Sequence, residues 1–407
     1  MDATVFAIFV LVYLGMILGR LPWLAIDRTG VALLGAIALV ALAKIGPREA
    51  WLAVDVTTIA LLFGLMVVSA QFRLGGFYSA ITRRIAAARL RPPMLLLALI
   101  GVVGLLSAIL SNDVVCFAVC PLLTDGCLRR RLDPIPFLLA LACASNVGSA
   151  ATLIGNPQNM LIGQTLDLSF GRYFFLDALV PTLLGLVATW LVICWRTRGR
   201  WEADSRPTTV VAPPFDAWQS AKAIVVTTVL IVLFFVEPAP REAIALAAGG
   251  VLLLSRKLHS REMLACVDWQ LLVLFVALFV VNDALAASGT LAWLHDHVVA
   301  AGVDPSAPGA LFWITAVLSN VVSNVPAVML LLPSATHPLA GAVLALSSTL
   351  AGNLLVVGSI ANIIVITQAD ALGVRITWAA HARVGVPVAL LTLLIAGAWL
   401  ALRATMV

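Results

Sequence analysis

Ala144–Ile162, ASNVGSAATLIGNPQNMLI, is an apolar stretch long enough to cross a bilayer, interrupted at Gly155-Asn156-Pro157-Gln158-Asn159. Pro157 has no N–H and its ring clashes with the carbonyl four residues back, so a helix arriving through Ala151 to Leu153 breaks at the glycine. Asn156 is a good N-cap and Pro157 suits the first helical position, so a new half-helix starts there with Gln158 and Asn159 in its first turn. At membrane depth, irregular backbone survives only where it is buried in protein or lines a cavity. The rest of the chain must therefore supply a polar surrounding for this break.

Composition sets the class. Of 407 residues, 62% are hydrophobic and 11% charged, with a mean hydropathy of +1.07. An ordinary soluble domain is about 25% charged, so this is an all-α polytopic membrane protein. The formal net charge of +5 does not point to nucleic acid, which needs a basic face on a soluble element. Cys116, Cys120, Cys127, Cys143, Cys194 and Cys266 lie almost entirely in apolar runs without CxxC spacing and read as small buried hydrophobes, not as a disulfide or metal framework. The N-terminus lacks a basic n-region and a cleavage site in a polar flank, so its apolar run reads as a retained span.

Apolar runs near 4–19, 30–47 and 56–72 predict three crossings of close to the ~20 residues a bilayer needs. Residues 75–91 predict an interfacial amphipathic helix with Arg83, Arg84, Arg89 and Arg91 on its polar side. Pro92 to Leu110 then leads to Ser111-Asn112-Asp113, after which the apolar run 114–124 rises only ~16 Å, too little to cross. Arg91 and Arg129-Arg130-Arg131 flank this pair and prefer the same side, which predicts a re-entrant hairpin with its tip at Ser111 to Asp113. The broken helix near 135–167 crosses, and 173–195 crosses back. After the polar linker, the second half predicts crossings near 218–236, 242–256 and 269–286, a hairpin at 308–335, a broken helix at 339–367 and a last span at 376–402. All but Lys44, Arg48, Arg172, Arg241 and Arg403 of the 25 Lys and Arg then fall on one side. The positive-inside rule makes that side cytoplasmic and puts both termini outside, in a multi-pass protein of the plasma (bacterial inner) membrane.

The halves repeat. An offset of 213 pairs Arg48-Glu49 with Arg261-Glu262, Val54-Asp55 with Val267-Asp268, and Gly76 with Gly289; 212 pairs Ser107 with Ser319, Ser111-Asn112 with Ser323-Asn324, and Pro121 with Pro333; 203 pairs Gly155 with Gly358 and Asn159 with Asn362. The predicted organisation is a first repeat over 1–196, a cytoplasmic linker over 197–217 and a second repeat over 218–407. Each repeat has five crossings, one of them broken, plus one re-entrant hairpin. An odd number of crossings inverts the second repeat, as the charge distribution independently requires. Inverted-topology repeats with interrupted helices are the architecture of secondary transporters.

Four half-helix N-termini converge in this arrangement, after Ser111-Asn112-Asp113, Asn156, Ser323-Asn324 and Ser359. Unpaired N–H groups and the positive dipole end favour an anion there. Freed carbonyls and Asn side chains suit a hard cation such as Na⁺. Helix packing accounts for Gly148, Ser149 and Gly352, but packing alone does not require Ser-Asn and Gly-x-x-x-Asn twice. Asp113 is the one acidic residue at a predicted tip, opposite Val325. An intramembrane carboxylate there either exchanges a proton or stays ionised beside a bound cation; a structural cap is the plainer alternative. Asp283 falls close enough to the outer interface that a solvated carboxylate and a functional one are equal alternatives. Asp55 and Asp268 read as boundary salt bridges and caps. The histidines fall in loops or near span ends and do not read as a proton relay.

These motifs, Ser111-Asn112-Asp113, SAATLIGNPQN (149–159), Ser323-Asn324-Val325-Pro326 and AGNLLVVGSIAN (351–362), resemble the ion transporter superfamily of arsenite permeases, divalent-anion:sodium symporters, citrate transporters and one class of sodium/proton antiporters. The resemblance covers essentially the whole chain. It implies a scaffold and a transport domain, a homodimer and an elevator-like shift. It also implies that substrate is held by Ser111, Asn112, Asn156, Asn159, Ser323, Asn324, Asn353, Ser359 and Asn362, and the coupling ion by Asp113, Asn112, Gly155, Asn159, Asn324 and Gly358. Carboxylate symporters carry Ser-Asn-Thr at both tips, where this chain has Asp113 and Val325. An acidic first tip is closer to the arsenite permeases, and GNPQN looks more like a further anion-permease branch.

The function expected from the sequence is secondary active transport of a small anion or oxyanion coupled to Na⁺ or H⁺, with no other cofactor and no catalytic residue. Arsenite efflux and sodium/proton antiport are the alternatives. A channel would need an uninterrupted polar pore. An enzyme would need a nucleophile with a base, or a metal cluster, at one depth, and neither is legible.

Overall fold

The computed structural model describes residues 2–18, 25–202, 214–300 and 302–406. Arg20 and most of the linker lie outside the described residues. Among those described there is no β-strand, only an isolated bridge between Leu132 and Glu202. The first half runs α1 (Ala3–Leu18), α2 (Arg28–Ala41), α3 (Pro47–Leu52), α4 (Val56–Leu74), α5 (Phe77–Ala87), the limbs α6 (Pro92–Ile109) and α7 (Asn112–Arg129), the interrupted pair α8 (Pro134–Ser149) and α9 (Pro157–Thr165), and α10 (Phe170–Arg172), which passes through a π-helical turn into α11 (Leu179–Thr197). The second half runs α12 (Ala217–Val236), α13 (Arg241–Leu253), α14 (Ser260–Ala265), α15 (Trp269–Ala287), α16 (Thr290–Ala300), the limbs α17 (Pro308–Val322) and α18 (Asn324–Leu331), the interrupted pair α19 (Ala340–Ala351) and α20 (Ile360–Ala371), and α21 (Trp378–Ala404).

Element order is thus the same in both halves, down to six-residue helices at the duplicated Arg-Glu pairs and eleven-residue helices before each hairpin. Asp55 and Asp268 are caps, accepting from Thr57 N (3.0 Å) and Leu271 N (3.0 Å); neither forms an ion pair among the described residues. Packing between halves is reciprocal: α2 lies along α15, and α13 along α4. Six described helices are long and apolar enough to cross a membrane. Leu11, Leu183, Leu191, Val225, Val229 and Leu394 are among the many large apolar side chains left exposed, as a lipid-facing surface requires.

Two lengths differ from expectation. The run 30–47 yields a helix of only 14 residues, because Ala43 turns left-handed (φ 53°) and Pro47 starts α3 at its first position. The second hairpin limb does not stop near Thr124: α7 is 18 residues long and carries Pro121 inside it. Proline is tolerated inside membrane helices, and the last turns of α7 are held by a bond from Thr124 Oγ1 to the Cys120 carbonyl at 2.8 Å and by the Arg129–Asp125 pair at 2.8 Å. The limbs still double back. Arg130 donates to the carbonyls of Ala86 (3.1 Å), Ala88 (2.9 Å) and Leu90 (3.1 Å) beside the start of α6, while at the tip Asn112 N donates to Gly155 O at 3.1 Å.

Bonds between loops divide into two sets. One end joins Asp216 N to Gly75 O, Asp133 N to Trp201 O and Arg196 Nε to Arg383 O. The other joins Lys44 to Asp2, Arg241 to Asp167 and Glu237 to Phe170 N.

The α4–α13 crossing is set by Gly64, where a Cβ would meet the Ala245 carbonyl carbon and oxygen at 2.6 Å each. Gly64→Ala is therefore expected to destabilise by about 1–3 kcal/mol through overpacking. Gly101→Ala, with nothing within 4 Å, should leave the thermal midpoint of detergent-purified protein unchanged and serves as the comparison.

Candidate functional site

The first break forms as its residues dictate. Asn156 caps α9 from an extended conformation, its Oδ1 accepting from Asn159 N at 2.9 Å, and Pro157 takes the first helical position. The Asn159 amide then turns back to the carbonyls of Thr152 (3.0 Å) and Ser149 (3.5 Å), seven and ten residues upstream. The second break repeats this back-reaching pair of bonds, without the side-chain cap. Asn362 donates to the carbonyls of Leu355 (3.2 Å) and Gly352 (2.8 Å), again seven and ten residues upstream. Gly155 permits the close approach, since a Cβ there would lie 2.6 Å from Ser149 Cα and 2.8 Å from the Ser107 carbonyl.

Each hairpin tip meets the break of its own half. Asn112 N bonds Gly155 O, and Asn324, with its amide oriented to satisfy its neighbours, donates to Gly358 O and Ser348 O at 3.1 Å each and accepts from Gln158 Nε2 at 3.3 Å. Ser111 and Ser323 stand at the cap positions without a side-chain capping bond. Ser323 has φ 78°, a sparsely populated conformation for any residue but glycine.

The halves are cross-linked by two residues that the sequence analysis did not assign, Asn146 and Thr349, which are equivalent at the offset of 203. Thr349 Oγ1 accepts from Asn156 Nδ2 (3.2 Å) and Gln158 Nε2 (3.2 Å) and donates to Asn159 Oδ1 (3.2 Å), which fills the capacity of a hydroxyl. Asn146 Oδ1 accepts from Ser359 Oγ (2.8 Å) and Asn112 Nδ2 (3.3 Å), while its Nδ2 donates to Asn362 Oδ1 (3.2 Å) and Asn353 Oδ1 (2.8 Å). Each of the two therefore bonds the cap residue and the back-reaching asparagine of the opposite half. One network thus takes in Asn112, Gly155, Asn156, Asn159, Asn324, Asn353, Gly358, Ser359 and Asn362, with Ser111 and Ser323 at its edges. Asn146, Asn156, Asn159, Asn353 and Asn362 are buried.

Asp113 sits half-buried in the first turn of α7. Its carboxylate has no hydrogen-bond or ion-pair partner among the described residues, so the capping alternative is not realised. Asp283 is exposed and stands outside the network. His381 lies in the first turn of α21 and is buried, with Nε2 unpartnered among the described residues. It packs beside Asn353, because a Cβ on Gly385 would overlap the Asn353 carbonyl and lie 2.7 Å from His381 Cε1. Tyr173, in the π-helical turn, donates to Ala150 O at 2.8 Å and lines a 240 Å³ cavity with Arg172 and Asp177. Asp177 in turn pairs with Arg403 at 3.3 Å.

Chemically the site is a set of neutral amides, hydroxyls and half-helix ends with one carboxylate at its rim and no Lys or Arg among its hydrogen-bonded members. Asn112 Oδ1, Asn320 Oδ1, Asn353 Nδ2 and the repeat-equivalent hydroxyls of Ser107 and Ser319 are buried without partners among the described residues. Each such group costs about 1–3 kcal/mol, which a bound solute or ion would offset. The six cysteines are free, and no cluster of three or more His, Cys, Asp or Glu fit to hold a metal occurs among the described residues.

The sequence model of the family described as citrate transporter matches residues 9–343. The inner membrane protein YbiR of Escherichia coli K12 is 30% identical over 322 residues, covering 78% of this chain and 80% of that protein. The silicon efflux transporter LSI3 of rice (Oryza sativa subsp. japonica) is 32% identical over 163 residues, covering 40% of this chain and 33% of its own. Among solved structures, the Alcanivorax borkumensis YdaH transporter superposes over 98% of both chains with a TM-score of 0.58 at 14% identity, a likeness of fold.

Proposed function

The chain belongs to the citrate transporter family, and on that premise we propose that this membrane transporter is a secondary active carrier of a small anion or oxyanion coupled to Na⁺ or H⁺. The observation that carries the reading is the reciprocal network of Asn146 and Thr349, which joins two half-helix starts and two hairpin tips in one buried polar site. Repeated element order, reciprocal packing and the two sets of loop bonds support two inverted repeats, 1–196 and 218–407, joined by a cytoplasmic linker at 197–217. They also support re-entrant hairpins whose tips face each other, with both termini outside. In this reading the half-helix ends attract the anion, while Asp113 and the unpartnered oxygens of Asn112 and Ser107 attend the coupling ion. The homodimer and the elevator-like shift belong to the same proposal.

The test is flux in liposomes. Purified protein should accumulate at least one labelled di- or tricarboxylate or inorganic oxyanion when a Na⁺ or proton gradient is imposed, and lose it when an ionophore collapses the gradient. A panel without gradient-driven flux of any member would overturn the reading. A second reading, efflux of a neutral hydroxylated acid such as arsenous or silicic acid, is favoured by the lack of any Lys or Arg in the network, and LSI3 carries silicon efflux in its name. Flux of those solutes with none of the anions would select it.

A further inference from the structure

Outside the transport site, charged groups surround a cavity of about 540 Å³ at the arginine-rich end of the molecule. Three elements wall it: the start of α8 (Asp133, Ile135, Leu139), the end of α11 and the turn after it (Ile193, Arg196, Arg198, Arg200, Glu202), and the start of α21 (Arg383, Val384). Four arginines face two carboxylates there. None of the four forms an ion pair among the described residues. Arg196 spends Nε on the Arg383 carbonyl (2.8 Å), and no side-chain hydrogen bond is formed by Arg198, Arg200 or Arg383 among the described residues. Asp133 is partly committed, since it caps α8 through Ile135 N at 3.0 Å.

The cavity is amphipathic. Ile193 and Val384 are buried, and Ile135 and Leu139 complete an apolar floor beneath the guanidinium rim. Trp195 stands beside it, 56% exposed, with the guanidinium of Arg196 5.1 Å and that of Arg198 5.9 Å from its ring centroid. A tryptophan so placed at the end of a long apolar helix marks the membrane–water interface. Basic pockets between membrane helices at that level suit lipid head groups. A free phosphate compound would use the rim and leave the apolar floor empty; a phospholipid uses both.

We propose that this cavity binds an anionic phospholipid, its phosphodiester held by Arg196, Arg198, Arg200 and Arg383 and the upper part of an acyl chain lying on Ile135, Leu139, Ile193 and Val384. The excess of arginines over carboxylates selects a net negative head group over a zwitterionic one. Occupancy ties together the base of α8, which leads into the first break, and the ends of α11 and α21. The site is independent of what the transporter carries.

The test is a thermal-shift titration of the full-length protein in neutral detergent with dioctanoyl phosphatidylglycerol. Dioctanoyl phosphatidylcholine is the zwitterionic arm, and glycerol 3-phosphate with inorganic phosphate the free-phosphate arm. The phosphatidylglycerol should raise the melting midpoint, and the other arms should not. Arg198→Gln/Arg200→Gln removes side chains that make no hydrogen bond of their own, so folding is preserved and apparent affinity should fall about tenfold or more. Arg383→Gln should weaken binding in the same direction. Arg83→Gln/Arg84→Gln, on exposed α5 positions, should leave it intact. Equal stabilisation by phosphatidylcholine, an undiminished shift in the Arg198/Arg200 variant, or an equal loss in the α5 variant would overturn the proposal. An equal shift from the free phosphates would replace the lipid with a soluble phosphate compound.

Discussion

Asp113→Asn is expected to reduce gradient-driven flux by about 100-fold, equivalent to ~2.7 kcal/mol at the translocation barrier, while leaving the thermal midpoint within measurement error. The two halves of that expectation rest on separate observations. Stability is spared because the carboxylate makes no hydrogen bond or ion pair among the described residues, and the asparagine that does hold the tip to Gly155 is its neighbour, Asn112. Transport suffers because a carboxylate placed half-buried at a helix start without a cationic partner is costly to keep unless a cation or a proton visits it. An asparagine matches its shape and cannot carry that charge. The same variant should also lose the dependence of flux on external Na⁺ or pH. Wild-type coupling in Asp113→Asn would remove the carboxylate from the mechanism and leave the neutral network as the whole site.

The elements were legible in the sequence because each boundary has a local cause. Pro157 after Asn156, Asp55 and Asp268 before their spans, and glycines at φ > 0 such as Gly76 and Gly289 act within a turn or two, so their consequences can be read without tertiary context. The repeat was legible because Ser-Asn and Gly-x-x-x-Asn recur with identical residues. The structure gives the reason for that identity: Asn159 and Asn362 close the same seven- and ten-residue loops. Asn146 and Thr349 escaped because the two halves use different side chains for one task, so identity matching passes over them. A polar residue at each of two equivalent positions inside apolar runs was the available signal. The extent of α7 was missed for a different reason: only the apolar run 114–124 was counted, whereas the helix continues through a polar end to Arg129, whose Nε pairs with Asp125 one turn back. His381 lies near a span end, as expected, and its burial was not legible because that depends on what α21 packs against: Trp378 and Ala379 in the same first turn are exposed while His381 is buried.

The inequality between the two cross-linking residues leads to the second large expected effect. Asn146→Leu roughly conserves volume and removes every polar atom, which strands Asn112 Nδ2, Ser359 Oγ, Asn353 Oδ1 and Asn362 Oδ1 in a buried site. At about 1–3 kcal/mol for each group left without a partner, and with partial relaxation, the loss is at least ~3 kcal/mol, and flux should fall to the level of empty liposomes. Thr349→Val strands fewer groups, because Asn156 Nδ2 keeps Ser149 Oγ and Gln158 Nε2 keeps the Asn324 amide oxygen, leaving only Asn159 Oδ1 without its donor, so it should cost about 1–2 kcal/mol and leave measurable flux. Asn146→Thr separates structure from function. It restores the hydroxyl that serves in the other half, with one donor and two acceptor sites, so the fold should be largely retained. A single hydroxyl donor cannot serve both Asn362 and Asn353, the residue against which His381 packs. If flux in Asn146→Thr stays near zero while the melting midpoint recovers, the bond to Asn353 is part of transport. Flux that recovers in step with stability would reduce Asn146 to a structural tie between the halves.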